Sequence, residues 1–303
     1  MLFYTHPACL AHDPGPGHAE SPARLRAVLE ALGDAFPAVP WREAPPAPRD
    51  ALRRVHAESL LAQVLDAPPA HRRLDEDTTM CPDSAEAALR AAGAAVAAVD
   101  AVLGGDDAMA FCAVRPPGHH ATPDTAMGFC LFDSVAVAAA HALAAHGLQR
   151  VAIADFDVHH GNGTQAIFDD EPRVLFASSH QSPLYPGTGA AAEHGRAGGI
   201  VNAPLPPGSG GDAFRAAWRD RLLPRMDAFA PQLVLVSAGF DAHRRDPLAN
   251  LALDADDFRW IGAELAALAR RHAGGRVVAL LEGGYDLDAL RECSVAFVAG
   301  LGG

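Results

Sequence analysis

The segment Val151–Gly163, with the sequence VAIADFDVHHGNG, brings carboxylates and imidazoles together at close spacing. It begins as an apolar, β-branched run and turns polar at Asp155, Asp157 and His159. Side chains at every second position of an extended chain share one face, so these three groups can point the same way. Packed that closely, they repel one another or stay unsatisfied unless a cation holds them. The run therefore favours a metal site over an ordinary polar loop.

Three further apolar segments also end in reactive side chains. The predicted strands are Ala108–Val114, followed by His119 and His120; Gln232–Gly239, followed by Asp241; and Arg276–Leu281, followed by Tyr285. Ligand sites of open α/β sheets lie beyond the carboxyl ends of the strands. One such end is unremarkable, but four on one rim predict an active site.

Asp157, His159 and Asp241 would supply three metal ligands from two of these strand ends. Two carboxylates and one imidazole leave an open coordination position for water or substrate, which is the pattern of a catalytic metal. Zinc is the expected ion, although an oxygen-rich site also tolerates Fe(II) or Mn(II). The alternative for Asp241 alone is a helix cap or a turn residue.

The remaining candidates are proton carriers and hydrogen-bond donors. His119 and His120 could take a proton from a metal-activated water and give one to a leaving amine. Tyr285 follows two glycines, and its hydroxyl could donate to a developing oxyanion. A buried tyrosine bonded to a backbone carbonyl is the alternative.

Alternating strands and helices must position these groups, which predicts an α/β fold with a mostly parallel sheet and helices on both faces. No linker divides the chain, so we expect one domain over residues 1–303. A helix is predicted at Ser84–Leu103, with a capping box of Asp83 and Glu86. Another is predicted at Ser134–His146 with Ser134 as its N-cap, and Asp212–Phe229 should be interrupted at Pro224.

The composition excludes several classes of protein. The net charge is −13 and no Lys/Arg cluster is long enough to indicate nucleic-acid binding. Five scattered cysteines without CxxC spacing indicate a reducing compartment. The N-terminus lacks the features of a signal peptide, and the apolar stretch Ala87–Leu103 contains Arg90 and Asp100, which favours a buried helix over a membrane span. A cytoplasmic location is expected, and the oligomeric state is not predicted.

Six motifs occur in the order found in one known family: RPPGHH at Arg115–His120, GFC at Gly128–Cys130, DFDVHHGNGT at Asp155–Thr164, PGTG at Pro186–Gly189, SAGFDAH at Ser237–His243 and EGGY at Glu282–Tyr285. With these motifs the sequence resembles the histone deacetylase family, and is most similar to its bacterial members and its class II branch. The resemblance implies an arginase–deacetylase fold and zinc-dependent hydrolysis of an amide.

Carried over position by position, the resemblance implies zinc ligands at Asp157, His159 and Asp241, a general acid and base at His120, its electrostatic partner at His119, and an oxyanion donor at Tyr285. It also implies that Asp155 orients His119 and that Asn162 contacts His120, where class I members carry Asp. A neutral partner should raise the basicity of His120 less than a carboxylate would.

The same resemblance implies a narrow tunnel for an aliphatic chain, lined by Gly128, Phe129 and Tyr185. It also implies a bound potassium ion at Asp155 and Ser178, completed by backbone carbonyls. Leu248 falls where polyamine-selective relatives carry a Glu, so acyl-lysine-like substrates are expected over acetylpolyamines. Met80 falls about where class I enzymes place an Asp that grips the peptide backbone, which argues against tight, sequence-specific peptide binding.

Three other functions stay open at this point. The first is an acetylpolyamine or small-acetylamide amidohydrolase. The second is an arginase-like hydrolase with two manganese ions, although Val158, His160, Ala242 and His243 stand where it would need further bridging Asp residues. The third is an inactive acyl-lysine binding protein, which should have lost a ligand, a histidine or the tyrosine.

Overall fold

Strands and helices alternate along the chain, and the computed structural model describes residues Met1–Gly302. The strands are β1 Leu2–Thr5, β2 Trp41–Glu43, β3 Arg72–Arg73, β4 Thr79–Met80, β5 Met109–Cys112, β6 Val151–Asp155, β7 Val174–Gln181, β8 Ile200–Leu205, β9 Leu233–Ala238 and β10 Val277–Leu281. The helices are α1 Ala8–Ala11, α2 Pro22–Ala35, α3 Arg49–Leu52, α4 Glu58–Leu61, α5 Ser84–Gly104, α6 Ser134–Ala145, α7 Asn162–Ile167, α8 Gly211–Ala217, α9 Leu223–Phe229, α10 Ala255–His272 and α11 Leu287–Gly302. Two π-helical segments extend α4 and α8: Ala62–Asp66 and Trp218–Leu222.

Eight strands form one sheet in the order β2-β1-β5-β10-β9-β6-β7-β8. All neighbours in this sheet are parallel, which confirms the predicted α/β class. The central strands are Val-, Leu- and Ala-rich and fully buried, as expected for strands that are covered on both faces. The short strands β3 and β4 pair separately as an antiparallel ribbon.

Helices cover the sheet in two groups. Helices α5 and α6 pack against each other and against the central strands, while α2, α10 and α11 form a second packed group. Helix α5 is long and apolar enough to cross a membrane, but 67% of its most apolar window is buried inside the protein. This packing agrees with the prediction of a core helix, because its small Ala and Val side chains let it lie close to α6 and β5.

Two predicted helix caps are wrong. Asp83 precedes α5 but its side chain makes no capping hydrogen bond, so the expected capping box is absent. Helix α6 is capped by Asp133, whose carboxylate accepts from the backbone N–H of Ala136, and not by Ser134. Asp and Ser are both good N-caps, so adjacent candidates cannot be separated by residue type alone.

Pro224 ends no helix. The predicted helix Asp212–Phe229 continues as α8, a π-helical segment and α9, and Pro224 falls in the first turn of α9. A proline is tolerated there because the first N–H groups of a helix have no intrahelical partner. The wider π turn over Trp218–Leu222 marks the junction.

Candidate active site

The four central strands β5, β10, β9 and β6 deliver the candidate residues. They are direct neighbours, so the loops that follow them meet at one edge of the sheet. Strand β10 lies between β5 and β9, which places its Glu282–Tyr285 loop between the two histidines after β5 and Asp241 after β9. The sequence predicted a shared rim, and the strand order explains which loops touch.

Asp157, His159 and Asp241 converge in the centre of this rim. His159 Nδ1 lies 3.1 Å from Asp157 Oδ1 and 3.2 Å from Asp241 Oδ2. One ligand atom from each residue lies within 4.8 Å of the others. The three residues therefore form a group that could hold a metal ion. Asp155 does not belong to it: the chain leaves the extended conformation after β6, so the alternation expected from Asp155 to His159 does not continue.

The surroundings of these residues fit a cation. Asp241 Oδ2 is buried and makes no hydrogen bond among the described residues, since its 3.2 Å contact with His159 Nδ1 lacks hydrogen-bond geometry, while its Oδ1 accepts from the N–H of Val158 at 2.8 Å. Asp157 Oδ2 accepts from the N–H of Gly283 at 2.8 Å. A buried carboxylate oxygen without a donor is costly, and a metal ion would satisfy it.

Gly283 is required by the tight approach of its backbone to both carboxylates. A Cβ at this position would stand 2.0 Å from Asp241 Oδ2 and 2.6 Å from Asp157 Oδ2. Any larger residue would displace the two carboxylates that the backbone now orients. The first glycine of the EGGY motif therefore has a steric explanation.

His119 is paired with a carboxylate. Its Nδ1 donates to Asp155 Oδ2 at 3.0 Å, and its Nε2 lies 3.8 Å from Asp157 Oδ1. Burial alone would lower the pKa of His119, but the charges of Asp155 and Asp157 outweigh it and hold that pKa well above its usual value. Burial in turn raises the pKa of Asp155 to about 6, against the opposing effect of His119. The two carboxylates therefore favour the imidazolium form of His119.

His120 has a neutral partner instead. Its Nδ1 donates to Asn162 Oδ1 at 2.8 Å, which leaves the lone pair on Nε2 free. Burial lowers the pKa of His120 well below its usual value, and the positive charge of His119 adds to the effect. The pKa values of the two adjacent histidines are thus shifted in opposite directions, and His120 is the one favoured in the neutral form that accepts a proton.

Tyr285 is placed by Arg24, a buried arginine in the stretch His18–Arg24, to which the sequence assigned no role. The Arg24 guanidinium lies 4.7 Å from the centre of the Tyr285 ring and donates to the carbonyl of Gly284 at 2.6 Å. Burial raises the pKa of Tyr285 well above its usual value, although Arg24 opposes this. The phenol is therefore protonated and can act as a hydrogen-bond donor.

A buried ion network ties this arginine to the histidine loop. Glu20 accepts hydrogen bonds from both Arg24 and Arg115, and all three side chains are fully buried. Glu282 accepts from the N–H groups of Gly118 and His119. The stretch His18–Arg24 contains a sequence signal for this ion pair, since Glu20 and Arg24 are one helical turn apart and side chains at that spacing can pair.

The converging residues form the end of a cavity of about 240 Å³. We call its inner end the floor, formed by His119, His120, His159, Gly283 and Tyr285 above the two carboxylates. We call its outer end the mouth, formed by Asp77, Phe129, Leu184, Tyr185 and Leu248. The floor histidines His119 and His120 are 2% and 4% exposed, whereas Tyr185 and Leu248 of the mouth are 38% and 37% exposed.

Comparison with known proteins identifies the family. The model of the histone deacetylase domain matches residues 18–301. The chain belongs to the histone deacetylase family. It is 42% identical to a histone deacetylase-like amidohydrolase of Pseudomonas aeruginosa, over 99% of this chain and 86% of the relative. A probable deacetylase of Archaeoglobus fulgidus is 37% identical over 98% and 85% of the two chains.

The fold agrees with that of a solved family member. The crystal structure of the HDA15 HD domain superimposes with a TM-score of 0.94 at 35% identity, covering 99% of this chain and 88% of the other. The histone deacetylase fold and an enzyme of the deacetylase class are therefore confirmed at the level of the family. The names of the relatives concern those proteins and do not assign a substrate to this chain.

The mouth of this histone deacetylase family member contains a carboxylate that sequence reasoning missed. Met80 was aligned with the Asp of class I enzymes, but Met80 is buried in β4, and it is Asp77 that lines the cavity. Burial raises the pKa of Asp77, and hydrogen bonding to Asp75 raises it further. The prediction against tight, sequence-specific peptide binding, which rests on Met80, stays a prediction, and Asp77 offers a carboxylate at the mouth beside it.

The tunnel residues Gly128, Phe129, Tyr185 and Leu248 all line this cavity. Gly128 and Phe129 both have positive φ, at 56° and 68°. A Cβ on Gly128 would stand 2.5 Å from the His120 ring, so only glycine fits there. The strained Phe129 is fixed by a hydrogen bond from its N–H to Thr78 and by a ring contact with Tyr285 at 6.0 Å.

The residues predicted to bind potassium lie side by side in the sheet. Asp155 and Ser178 are paired in the register of β6 and β7, and both are fully buried. The Ser178 hydroxyl is hydrogen-bonded to His180 Nδ1 at 2.9 Å. The pair lies directly beneath the floor, because Asp155 is the residue that holds His119.

Proposed function

We propose that this protein is a zinc-dependent hydrolase that cleaves the amide of an acylated lysine or a similar N-acyl amine. The observation that carries the proposal is the convergence of Asp157, His159 and Asp241, with the unpartnered Asp241 Oδ2, at the end of a cavity that also presents His120 and Tyr285. Two carboxylates and one imidazole suit zinc and leave a coordination position open.

A zinc ion held by these three residues would supply Lewis acidity to the amide carbonyl and lower the pKa of water. The chain's own residues orient the metal ligands and exclude water. Asp157 and Asp241 are oriented by the N–H groups of Gly283 and Val158, so little reorganisation is needed when an ion binds. The apolar wall of Phe129 and Leu248 would exclude bulk water from the acyl chain.

His120 is the proposed general base and then the general acid. Asn162 fixes the Nδ1–H tautomer, so Nε2 can accept the proton of the attacking water. The same proton would pass to the amine nitrogen as the C–N bond breaks, giving a carboxylate and a free amine. His119 stays charged beside Asp155, where it would stabilise negative charge that develops on the floor.

Tyr285 is the proposed hydrogen-bond donor to the oxygen of the tetrahedral intermediate. Its protonated phenol and its location on the floor support this role. Arg24 and the carbonyl of Gly284 would keep the ring in place, so Arg24 is a positioning residue.

The proposed substrate is a linear acyl-lysine or a similar acylamide. A narrow apolar passage between Phe129 and Leu248 suits an aliphatic chain, and Asp77 at the mouth could accept hydrogen bonds from a peptide N–H or attract a nearby cation. The alternative substrate is an acetylpolyamine, which the same carboxylate could attract. The apolar Leu248 offers no partner for a distal ammonium, so we favour acyl-lysine.

We also propose a structural potassium ion beside Asp155 and Ser178, supported by their adjacent buried positions. Exchange of K⁺ for Na⁺ should lower the melting temperature.

A cytoplasmic location is proposed as well, because all five cysteines are free and buried. Recovery of the protein in an oxidising compartment would contradict it.

The test is a hydrolysis panel with the metal-loaded protein. Acetyl-lysine peptide, longer acyl-lysine peptide and acetylpolyamine are compared at equal concentration, before and after removal of metal with a chelator. We expect the acetyl-lysine amide to be cleaved, activity to disappear with the chelator and zinc to restore it. Activity that survives complete metal removal would contradict the proposal, and a lack of hydrolysis with zinc bound would favour an inactive binding protein.

A further inference from the structure

A second cluster of metal-ligating side chains lies on the surface, outside the active site. Asp100 comes from the C-terminal half of α5, His141 lies in the last turns of α6, and His146 follows that helix directly. His141 Nε2 and His146 Nε2 each lie 2.7 Å from the same oxygen, Asp100 Oδ1. The two imidazole rings are 5.5 Å apart.

The arrangement of the ligand atoms resembles that of the buried site. In both clusters each of the three residues offers one ligand atom, and these three atoms lie within 4.8 Å of one another. Two imidazoles and one carboxylate can bind a divalent transition metal at bond lengths of about 2.0–2.2 Å, with water in the remaining positions. Binding would require each imidazole nitrogen to move roughly 0.7 Å away from Asp100 Oδ1, since ligand atoms about 2.1 Å from one tetrahedral ion lie about 3.4 Å apart.

The electrostatic setting favours a cation. Helices α5 and α6 both end near the cluster, and their last carbonyl groups carry partial negative charge. Asp100 is ionised, because the hydrogen bonds from His141 and His146 outweigh its partial burial and lower its pKa. Arg54 is the nearby positive group, donating to His141 Nδ1 at 3.1 Å. It is exposed, so it can turn into solvent when a metal on Nε2 leaves the proton on Nδ1.

The cluster lies at the far end of α6 from the active site. The N-terminus of α6 lies against the histidine loop, since a Cβ on Gly118 would stand 2.7 Å from the backbone N of Ser134. His146 follows the last residue of this 12-residue helix, about 18 Å away along its axis. An ion here would not contact the floor.

We propose that Asp100, His141 and His146 form a surface site for a divalent transition-metal ion, with zinc as the first expected ion. The ion would join the end of α5 to the end of α6 and act as a brace at the amino-terminal edge of the sheet. It would stabilise the folded chain without taking part in the reaction, because a ligand that binds only the native state raises stability. This inference does not rest on the proposed function.

The experiment is a calorimetric titration of Zn²⁺ into protein whose catalytic site has already been loaded with zinc and freed of excess metal. We expect one additional equivalent to bind the unmodified chain, and the melting temperature to rise with the added zinc. In His141→Ala and in His146→Ala this binding should weaken by at least roughly 10- to 100-fold, the loss that a metal site shows when only an outer partner is removed. Turnover should not change in either variant.

His272 provides a matched control. It lies on the surface and is hydrogen-bonded to Asp227 at 2.9 Å, but it has no second imidazole beside it. His272→Ala should keep the additional equivalent. Asp100→Asn supplies a variant of nearly unchanged shape if the alanine variants do not fold, and it should also lose the zinc. The inference is overturned if the unmodified, catalytically loaded chain takes up no further zinc, or if the additional equivalent survives in His141→Ala, His146→Ala or Asp100→Asn.

Discussion

The floor and the mouth of the cavity are built by different means. Floor residues follow four adjacent buried strands, and backbone N–H groups and buried ions hold them in place. Mouth residues lie on surface loops: Tyr185 and Leu248 are more than one third exposed. Bond cleavage tolerates little misplacement of the reacting groups, and the rigid floor can hold them in place. The exposed mouth can vary without disturbing the fold, so substrate preference is expected to reside there.

The largest effect should follow from loss of a metal ligand. Asp241→Ala should lower turnover by more than roughly 10²–10³-fold, the usual loss from a single oxyanion donor, because the whole ion is lost with it. Hydrolysis of an acetyl-lysine amide and the zinc content should fall together. Asp212→Ala, which removes an exposed carboxylate of α8, is the control and should leave both unchanged. Retention of bound zinc and turnover in Asp241→Ala would remove Asp241 from the ligand set.

Tyr285→Phe keeps the ring that packs on Arg24 and removes only the hydroxyl. Turnover should fall roughly 10²–10³-fold, with KM and zinc content nearly unchanged, because the donor acts on the developing oxyanion. Steady-state kinetics on the same substrate measures this. Turnover close to that of the unmodified enzyme would refute the role of the hydroxyl.

Asn162→Asp tests the difference between the two floor histidines. A carboxylate in contact with His120 Nδ1 would favour the imidazolium and raise the lowered pKa of His120. A base must be neutral to accept a proton, so the acidic limb of the pH–rate profile should move to higher pH. The shift is read from kcat/KM against pH. An unchanged acidic limb would show that another group controls it.

At the mouth, Leu248→Glu should change substrate preference and leave the chemistry intact. A carboxylate in place of the half-exposed leucine could pair with a distal ammonium. An exposed pair contributes about 0.2–1 kcal/mol, which corresponds to a gain of roughly 1.4- to 5-fold for acetylpolyamine relative to acetyl-lysine. Leu248→Gln is the neutral control. An equal gain in both variants would mean that size, not charge, governs this position.

A similarly small effect is expected for Asp77→Asn. Loss of this carboxylate should raise KM for an acetyl-lysine peptide roughly two- to fivefold with little change in kcat, because Asp77 acts on binding at a half-exposed position. The pKa of Asp77 is raised, so the difference from the unmodified enzyme should shrink as the pH falls and the carboxyl becomes protonated. A fall in kcat instead of a rise in KM would assign Asp77 to the floor.

The same contrast explains how far the sequence could predict the structure. The floor residues Asp157, His159, Asp241 and His120 occur in long motifs at the ends of apolar strands, and those strands could be recognised from composition alone. Their convergence was expected, but the position of β10 between β5 and β9 was not, since strand order depends on long-range packing that no local pattern records.

Residues that act through distant contacts were harder to find. Glu20 and Arg115 are 95 positions apart in the chain, yet they form one buried ion pair, and Arg24 reaches Gly284 across 260 positions. His12, in an N-terminal loop rich in His, Pro and Gly, is buried and hydrogen-bonded to Ser84. Loops without periodicity give no measure of burial, and for the same reason the sequence did not indicate that Asp77 lines the cavity.

Anomalous diffraction at the zinc absorption edge, on crystals of the zinc-loaded protein, tests the central claim most directly. The account predicts a single ion in the cavity, in contact with Asp157, His159 and Asp241 and within reach of an open position beside His120. A cavity without an ion, or two ions bridged by further carboxylates as in a binuclear hydrolase, would contradict it.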